Sequence, residues 1–444
     1  MPDILLRLLF SAVLVISSVH TAAAGSVGYD PQLLMQMQET IRQQQEQLKL
    51  QAEQIRQQSQ KLELLQQQIN AMQHPPTSST GTTASAAPSA PQPASILAPL
   101  LPLSISSGND KLKVSISGQV NRALNTVNDG KSTELYHVDN AASGSRLRLV
   151  GRAGMNSDLT LGTRAEFGIT PDTSSRVSQS SQAPGDIFTQ RWLEISLLSG
   201  TYGKLSVGKG DTASKGTAIQ DLSKTEVVQF ATISTVAGGM LFRNADAAHA
   251  LTSIRVSDAF RSRDGLGRQS RLRYDTPSLF GFTLAGSLVT SQRSDLALLW
   301  GGEGYGLRGV AAAAVANPRL SGSGMLFDGS FSLLHTASGL NLTVSAAIQK
   351  RNPQKDATNL YTKLGWIANF TDVGHTAFGV DYTGSDNMPT SDDRGYSVGG
   401  AVVQSFDKYA TDLYMQYRVY ALERKTGSPL ADMNVSTIGA RVKF

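Results

Sequence analysis

The sequence predicts an all-β chain that closes into a 16-stranded antiparallel transmembrane barrel, preceded by an α-helical coiled coil. Three observations support this fold class: an apolar leader at residues 1–24, a seven-residue apolar repeat within residues 30–73, and a two-residue apolar repeat over residues 111–444. A seven-residue period is typical of a left-handed coiled coil. A two-residue period is typical of strands with one apolar and one polar face.

The composition excludes several other classes of protein. The 444 residues include 41 glycines, no cysteine and only 17% charged side chains. Without cysteine the chain has no disulfide framework, thiolate metal site or cysteine nucleophile. Beyond the leader, no apolar run approaches the roughly 18 residues that a membrane helix needs. The 40 basic and 35 acidic residues leave a net charge of +5, which is too weak to indicate nucleic-acid binding in so long a chain.

Residues 1–24 have the pattern of a secretory signal peptide. Arg7 lies in a short basic segment, residues 8–19 are largely apolar, and the alanines at 22–24 form a small-residue cleavage site. About 12 apolar residues are too few to cross roughly 30 Å of hydrocarbon as a helix. An exported chain without cysteine indicates a bacterial envelope, where stray thiols would be oxidised.

Residues 30–73 predict a coiled coil. No glycine or proline interrupts residues 32–73, and glutamines fill the central d positions, so we expect the helix to depend on self-association. Isoleucine at several a positions is compatible with more than two strands. A glutamine-rich disordered tract is the alternative interpretation. The a positions, seven residues apart, form the predicted core and are Leu34, Ile41, Leu48, Ile55, Leu62 and Ile69.

Residues 74–110 predict a linker between the coiled coil and the barrel domain. The segment begins at His74 with two prolines and continues rich in Pro, Ser, Thr and Ala. A segment this polar and this interrupted by proline does not build a core, so we expect a flexible tether.

The alternation over residues 111–444 predicts the barrel. In the first strand Leu112, Val114 and Ile116 share one face, and Lys113, Ser115 and Ser117 share the other. Short turns such as 156–158 alternate with long polar segments, which is typical of an outer-membrane barrel. A soluble β-sandwich also alternates, but charged side chains on successive polar faces, beside an export signal, favour a water-filled lumen. Sixteen strands allow about 21 residues each with their connections, and eighteen fit almost as well.

The last strand carries the most specific local signal. Ile438, Ala440, Val442 and the terminal Phe444 share one face of this strand. An aromatic residue at the very end of such a strand is expected at the membrane interface.

Taken together, residues 111–444 resemble the trimeric general porins of Gram-negative outer membranes. The segments that carry the resemblance are 114–120, 145–151, 156–160, 190–193, 202–208, 272–277 and the C-terminal Phe444. The resemblance implies a channel for passive diffusion of ions and small hydrophilic solutes, which is not an enzyme and needs no cofactor. It also implies that Phe444 belongs to the signal read by the barrel-assembly machinery.

The resemblance further implies that a long loop after the fifth strand, about residues 209–238, folds into the lumen and forms a constriction with basic side chains of the wall. Arg146 and Arg191 match wall arginines of the family, and Gln119 stands where a lysine is common. The predicted pore-constriction residues are Arg146, Arg191, Arg164, Glu166, Gln119, Asp221 and Glu226. Thr235 to Ala237 replace the acidic-aromatic pair that the family often places before two glycines, which implies a wider or less polarised constriction.

The sequence patterns do not support nucleotide binding, a metal centre or a catalytic triad. Residues 304–309 match a glycine-rich nucleotide-binding expression, but no hydrophobic βαβ unit accompanies them. The six histidines are scattered along the chain, which argues against a metal centre or a catalytic triad.

The resemblance implies a homotrimer in the cell outer membrane, in contact with lipid and lipopolysaccharide, whose three helices form one coiled coil in the periplasm. One alternative is a structural envelope tether that holds the outer membrane to peptidoglycan, or to a periplasmic protein, through the coiled coil. A second alternative is a substrate-specific channel. The sequence is compatible with either a cation or an anion preference.

Overall fold

The computed structural model describes Arg42, residues 103–106 and residues 112–444. The predicted signal peptide, the core positions of the predicted coiled coil and most of the predicted linker lie outside the described residues. The described residues 103–106 and 112–444 belong to one compact unit. In the described part of the chain, no helix has the length and apolar character needed to span a membrane.

The described chain is built almost entirely of strands. Within residues 112–444 the helical pieces are single turns, at Ala141–Ser143, Ser234–Ala237, Val256–Ala259 and Asp407–Tyr409. The strands are β1 Leu103–Ser106, β2 Leu112–Asn128, β3 Thr133–Asp139, β4 Arg146–Gly154, β5 Leu159–Gly168, β6 Thr189–Ser199, β7 Gly203–Asp211, β8 Leu241–Arg243, β9 Leu251–Arg255, β10 Arg268–Asp275, β11 Phe282–Val289, β12 Arg293–Gly304, β13 Leu307–Asn317, β14 Ser323–His335, β15 Leu340–Arg351, β16 Ala357–Thr371, β17 Gly374–Asp386, β18 Arg394–Phe406, β19 Thr411–Glu423 and β20 Met433–Lys443.

The wall of the barrel has sixteen antiparallel strands, as predicted, and not eighteen. β3 and β4 both pair with β2, with Asp139 opposite Arg122 and Arg146 opposite Gln119. They are two halves of one wall strand, which the turn Ala141–Ser143 interrupts. β8 and β9 form a separate hairpin, and β1 is a short edge segment.

The barrel closes where β2 meets β20. Residues 119–128 pair with residues 434–443, and the backbones of Gly118 and Phe444 exchange two hydrogen bonds of 2.7 and 3.0 Å. A closed sheet leaves no unpaired edge, and only such a sheet can cross a bilayer with strands.

β1 extends this seam beyond the C-terminus. Residues 103–106, at the end of the predicted linker, pair with residues 113–116 of β2 on the side that β20 leaves unoccupied. The other side of this part of β2 pairs with β4. The first strand of the wall is therefore hydrogen-bonded on both sides along most of its length.

The two faces of the wall follow the alternation in the sequence. In β2, Asn121 and Asn125 are buried inside the barrel, whereas Val120 and Leu124 are 52% and 40% exposed on the outside. Polar side chains inside and apolar ones outside reverse the arrangement of a soluble protein. The reversal is expected where the outer face meets lipid and the inner face meets water.

The connections differ between the two rims. One rim carries only short turns, at 155–158, 200–202, 276–281, 305–306, 336–339, 372–373 and 407–410. The opposite rim carries two long connections, 169–188 and 212–267, but its others, such as 290–292 and 318–322, are also short. The predicted regular alternation of short turns with long segments was therefore too simple, because most of the extra chain length lies in one connection.

That connection, residues 212–267, is called the inner loop here. It begins later and runs much further than the predicted 209–238, because residues 209–211 are still paired with β10. It contains the β8–β9 hairpin and two helical turns. Gly239 marks a tight contact within the barrel, since a Cβ there would lie 2.3 Å from the backbone of Arg176 in the other long connection.

The contact between Gly118 of β2 and Phe444 gives a direct test of how the C-terminus packs. A Cβ at Gly118 would lie 2.6 Å from Cζ of Phe444 and 2.8 Å from the carbonyl oxygen of Arg146. We expect Gly118→Val to lower the free energy of unfolding by about 1–3 kcal/mol, because the Phe444 ring must move. Urea unfolding followed by tryptophan fluorescence measures this loss. Gly154→Val is the matched control, since nothing lies within 4 Å of a Cβ there, and equal losses in both variants would contradict this seating.

Candidate constriction site

Four arginines surround one glutamate on the inner face of the barrel. Arg146 and Arg148 come from β4, Arg164 and the glutamate, Glu166, from β5, and Arg191 from β6. Each pair within a strand is two residues apart, so both members point to the same face. We call these four guanidinium groups the arginine wall.

Glu166 is fully buried among the guanidinium groups. Its Oε2 accepts hydrogen bonds of 2.7 Å from Arg148 Nε and Arg164 Nη2, and its Oε1 accepts one of 2.7 Å from Arg191 Nε. Arg146 Nη1 lies 3.9 Å from Oε1. Four positive charges against one negative charge leave a surplus of three positive charges. The guanidinium groups remain 18–36% exposed, so this surplus faces the lumen.

A β-bulge directs Arg191 to this site. Glu166 pairs with Trp192, but the next residue, Phe167, pairs with Gln190, so Arg191 is the extra residue on β6. Strict alternation would place Arg191 and Trp192 on opposite faces. The bulge brings Arg191 to the same carboxylate as the β4 and β5 arginines, which is a common role for such irregularities.

Trp192 supports the arginine wall from behind. The guanidinium carbons of Arg164 and Arg268 each lie 3.7 Å from the centroid of its ring. Cations above both faces of an indole are attracted by the ring quadrupole. Arg268 also forms a 3.0 Å ion pair with Asp211, which joins the two ends of the inner loop to this side of the lumen.

Gln119 is hydrogen-bonded to the turn that precedes Arg146. Its side-chain amide is buried and donates to the Ser143 carbonyl and hydroxyl at 2.6 and 2.9 Å, and to the Gly144 carbonyl at 3.1 Å. Arg146 donates to the same Ser143 hydroxyl at 3.1 Å. Gln119 therefore fixes the turn from which β4 and Arg146 begin.

Asp221 binds the barrel wall. Its carboxylate pairs with Lys363 of β16, and the two side chains are 3% and 0% exposed. The same ammonium group donates to Ser223 at 2.6 Å, to Thr225 at 2.9 Å and to the Gln229 carbonyl at 3.1 Å. The expectation that this loop acid faces the wall arginines across the lumen differs from what the structure has, because Lys363 neutralises it at the wall.

Glu226 is half-buried near this pair. It forms no ion pair with any residue in the described part of the chain. Burial and the neighbouring Asp221 carboxylate raise its pKa above the ordinary range for a glutamate.

The inner loop is hydrogen-bonded to the inside of the barrel over most of its length. The residues that bond it, in order around the wall, are Ser287, Asp295, Asp328, Ser330, Ser332, Thr343, Ser345, Lys363, Ser385, Tyr420, Asn125 and Asn140. These positions run from β11 to β19 and on to β2 and the end of β3. The arginine wall on β4, β5 and β6 lies outside this covered sector.

A cavity of about 480 Å³ opens beside the arginine wall. Arg148 and Arg164 line it together with Arg152 and Lys204. Its lining carboxylate, Glu194, is already paired with Arg271. The charge exposed to this part of the lumen is therefore positive. In the part of the chain that the structure describes, no group of His, Asp and Glu side chains has an arrangement that could hold a metal ion.

Three members of the site were absent from the predicted set: Arg148, Trp192 and Arg268. Arg148 could have been predicted from the sequence, because it lies two residues after Arg146 in the same alternating strand and so shares its inward face. No sequence pattern places Arg268 at the site, since it reaches the site only through the pairing of β7 with β10 across the inner loop. The role of Trp192 depends on that same closure.

Comparisons with known proteins identify the family and the fold. A family model described as Gram-negative porin matches residues 79–441, and a search of curated proteins found no match. The anion-selective porin from Comamonas acidovorans is 16% identical, with a TM-score of 0.51 over 75% of this chain and 100% of that one. The outer membrane channel DcaP of Acinetobacter baumannii is 12% identical, with a TM-score of 0.50 over 77% of this chain and 100% of that one. At these identities the structural likeness shows the fold.

The Lys363–Asp221 pair gives a test of how the inner loop is held. We expect Lys363→Met to lower the free energy of unfolding by about 3–5 kcal/mol, because it leaves a buried carboxylate without its cation. The double variant Lys363→Met with Asp221→Leu removes both charges and should recover most of the loss. Urea unfolding in detergent measures both variants. A double variant as unstable as the single one would contradict this account of the anchor.

Proposed function

The chain belongs to the Gram-negative porin family, and we propose that it is an anion-selective diffusion channel of the outer membrane. The family and the closed barrel make it a porin, a water-filled channel through which ions and small hydrophilic solutes diffuse passively. The anion preference is inferred from one observation, the surplus positive charge of the arginine wall around Glu166.

The physical basis of the preference is electrostatic. A unit charge about 4 Å from an ion contributes about 1 kcal/mol in water, and more where protein replaces part of the solvent. Salt screens this field over about 10 Å at 0.1 M, which is long enough to act across a narrow lumen. Exposed guanidinium N–H groups also replace part of an anion's hydration shell while the ion passes.

Glu166 organises the wall without cancelling it. One carboxylate fixes three guanidinium groups through charge-assisted hydrogen bonds, which limits their movement into the lumen. We assign the constriction to Arg146, Arg164 and Arg191 with Glu166 and the additional Arg148. Gln119 then acts by holding the turn before β4, and Asp221 acts by anchoring the inner loop to Lys363. The Comamonas acidovorans protein of similar fold carries the description anion-selective, and the same preference is proposed here from this chain's own charges.

The anion preference is tested by reversal potential in planar bilayers across a potassium chloride gradient. We expect chloride to be preferred, and Arg148→Gln with Arg164→Gln to reduce the chloride-to-potassium permeability ratio by about fivefold, because two of the three surplus charges are lost. Lys350→Gln is the control, because Lys350 follows the inward-facing Gln349 on β15 and therefore lies on the outer face of the wall, where it is 53% exposed in a pair with Asp356. A potassium preference in the unaltered protein would overturn the proposal.

We also propose that the porin is a homotrimer with its coiled coil in the periplasm, and that Phe444 takes part in recognition by the barrel-assembly machinery. The trimer is consistent with the apolar a positions of residues 30–73, because isoleucine at three of the six is compatible with more than two strands. The coiled coil could then contact peptidoglycan or a periplasmic protein.

Amine-reactive cross-linking in detergent tests the assembly. We expect the full chain to give a band of three subunits, and a variant without residues 25–109 to open the same conducting steps, since the lumen lies within the barrel. Only monomeric bands from the full chain would overturn the trimer.

A further inference from the structure

A second group of arginines lies at the rim that carries the long connections. Arg263 belongs to the returning part of the inner loop, and Arg351 ends β15 on the inward face that it shares with the buried Gln349. Both reach the connection 387–393: Arg263 Nη2 lies 2.9 Å from the Met388 sulfur, and Arg351 Nη2 donates to the Asn387 carbonyl. With the exposed Arg261, we call them the mouth arginines.

The mouth arginines have no carboxylate partner in the described part of the chain. The guanidinium of Arg351 donates only to the carbonyl oxygens of Lys355 and Asn387. The nearby Asp356 accepts from the backbone N–H of Arg351 at 3.2 Å, and its carboxylate is paired with Lys350 at 2.6 Å. Arg263 is half-buried, and its Nε is buried without a hydrogen-bond partner. Burial, together with the charges of Arg351 and Arg261, lowers the pKa of Arg263 to about 10. A half-buried guanidinium near two like charges is destabilised, and a bound anion would stabilise it.

The backbone holds this arrangement in an unfavourable conformation. Arg263 has a φ of 55° and Asn387 a φ of 61°, both in the left-handed region. Arginine rarely adopts this region and persists there only where its surroundings fix it, whereas asparagine tolerates it. The strain is therefore located at Arg263.

We propose that the mouth arginines form a binding site for a small multivalent oxyanion of the phosphate type. The planar fork of each guanidinium presents paired N–H donors, which match the oxygens of such an anion better than a spherical chloride ion. The ligand is a free solute, because Arg351 faces inward and Arg263 lies on a loop folded inside the barrel. The inference rests on the proposed anion channel: the site would concentrate oxyanions before they reach the arginine wall.

The site is tested with inorganic phosphate on the full-length protein in planar bilayers. We expect phosphate on the loop side to reduce the chloride current in a saturable way, and more strongly than phosphate on the turn side. Arg263→Gln and Arg351→Gln should each raise the half-blocking concentration by about tenfold or more, because each removes charge-assisted hydrogen bonds. Arg394→Gln is the matched control, at the same rim but 74% exposed in an ion pair with Asp386.

The outcomes separate the site from the channel. Equal phosphate block in Arg263→Gln, Arg351→Gln and Arg394→Gln would overturn the site, and so would chloride-selective current without a saturable phosphate effect. Absence of anion-selective steps would overturn the proposed function itself. Lipopolysaccharide that abolishes the block would show a lipid phosphate in the site and reject the free-solute assignment. Arg263→Lys keeps the charge. We expect its half-blocking phosphate concentration to be closer to that of the unaltered protein than that of Arg263→Gln is, and this comparison separates lost binding from misfolding.

Discussion

The need to pair every backbone polar group within a bilayer governs this structure. A strand in hydrocarbon has no water to accept its hydrogen bonds, so the sheet must close on itself. Here β20 closes on β2, Phe444 bonds to Gly118, and β1 occupies the part of the edge that the C-terminus leaves open. The inward and outward faces, and hence the lumen and its charges, follow from that closure.

The functional asymmetry of the lumen comes from one loop. The inner loop is bonded to the wall from β11 round to β2, and its acid Asp221 is neutralised by Lys363 in that contact. The arginine wall lies in the remaining sector, with a single carboxylate among its guanidinium groups. Because Lys363 neutralises Asp221 at the wall, this loop acid does not offset the surplus positive charge of the arginine wall.

Particular residues show how much of the site the two-residue alternation in the sequence could predict. Arg164 and Glu166 point inward as predicted, because a regular strand directs residues two apart to one face. Arg191 meets the same carboxylate only because of the bulge after Glu166, which alternation cannot foresee. Asp221 was expected at the constriction, but its partner Lys363 lies more than a hundred residues later in the chain. Only folding could bring that pair together.

The sequence by itself determined the class of the barrel and the face of most wall residues, since these depend on local periodicity, and it narrowed the number of strands to sixteen or eighteen; closure of the sheet decided for sixteen. The tertiary structure alone decided the path of the inner loop, the pairing of its acids, the contacts of Trp192 with Arg164 and Arg268, and the grouping of the mouth arginines. Those features depend on contacts between distant strands around a closed circle. No local pattern records which residues meet across it.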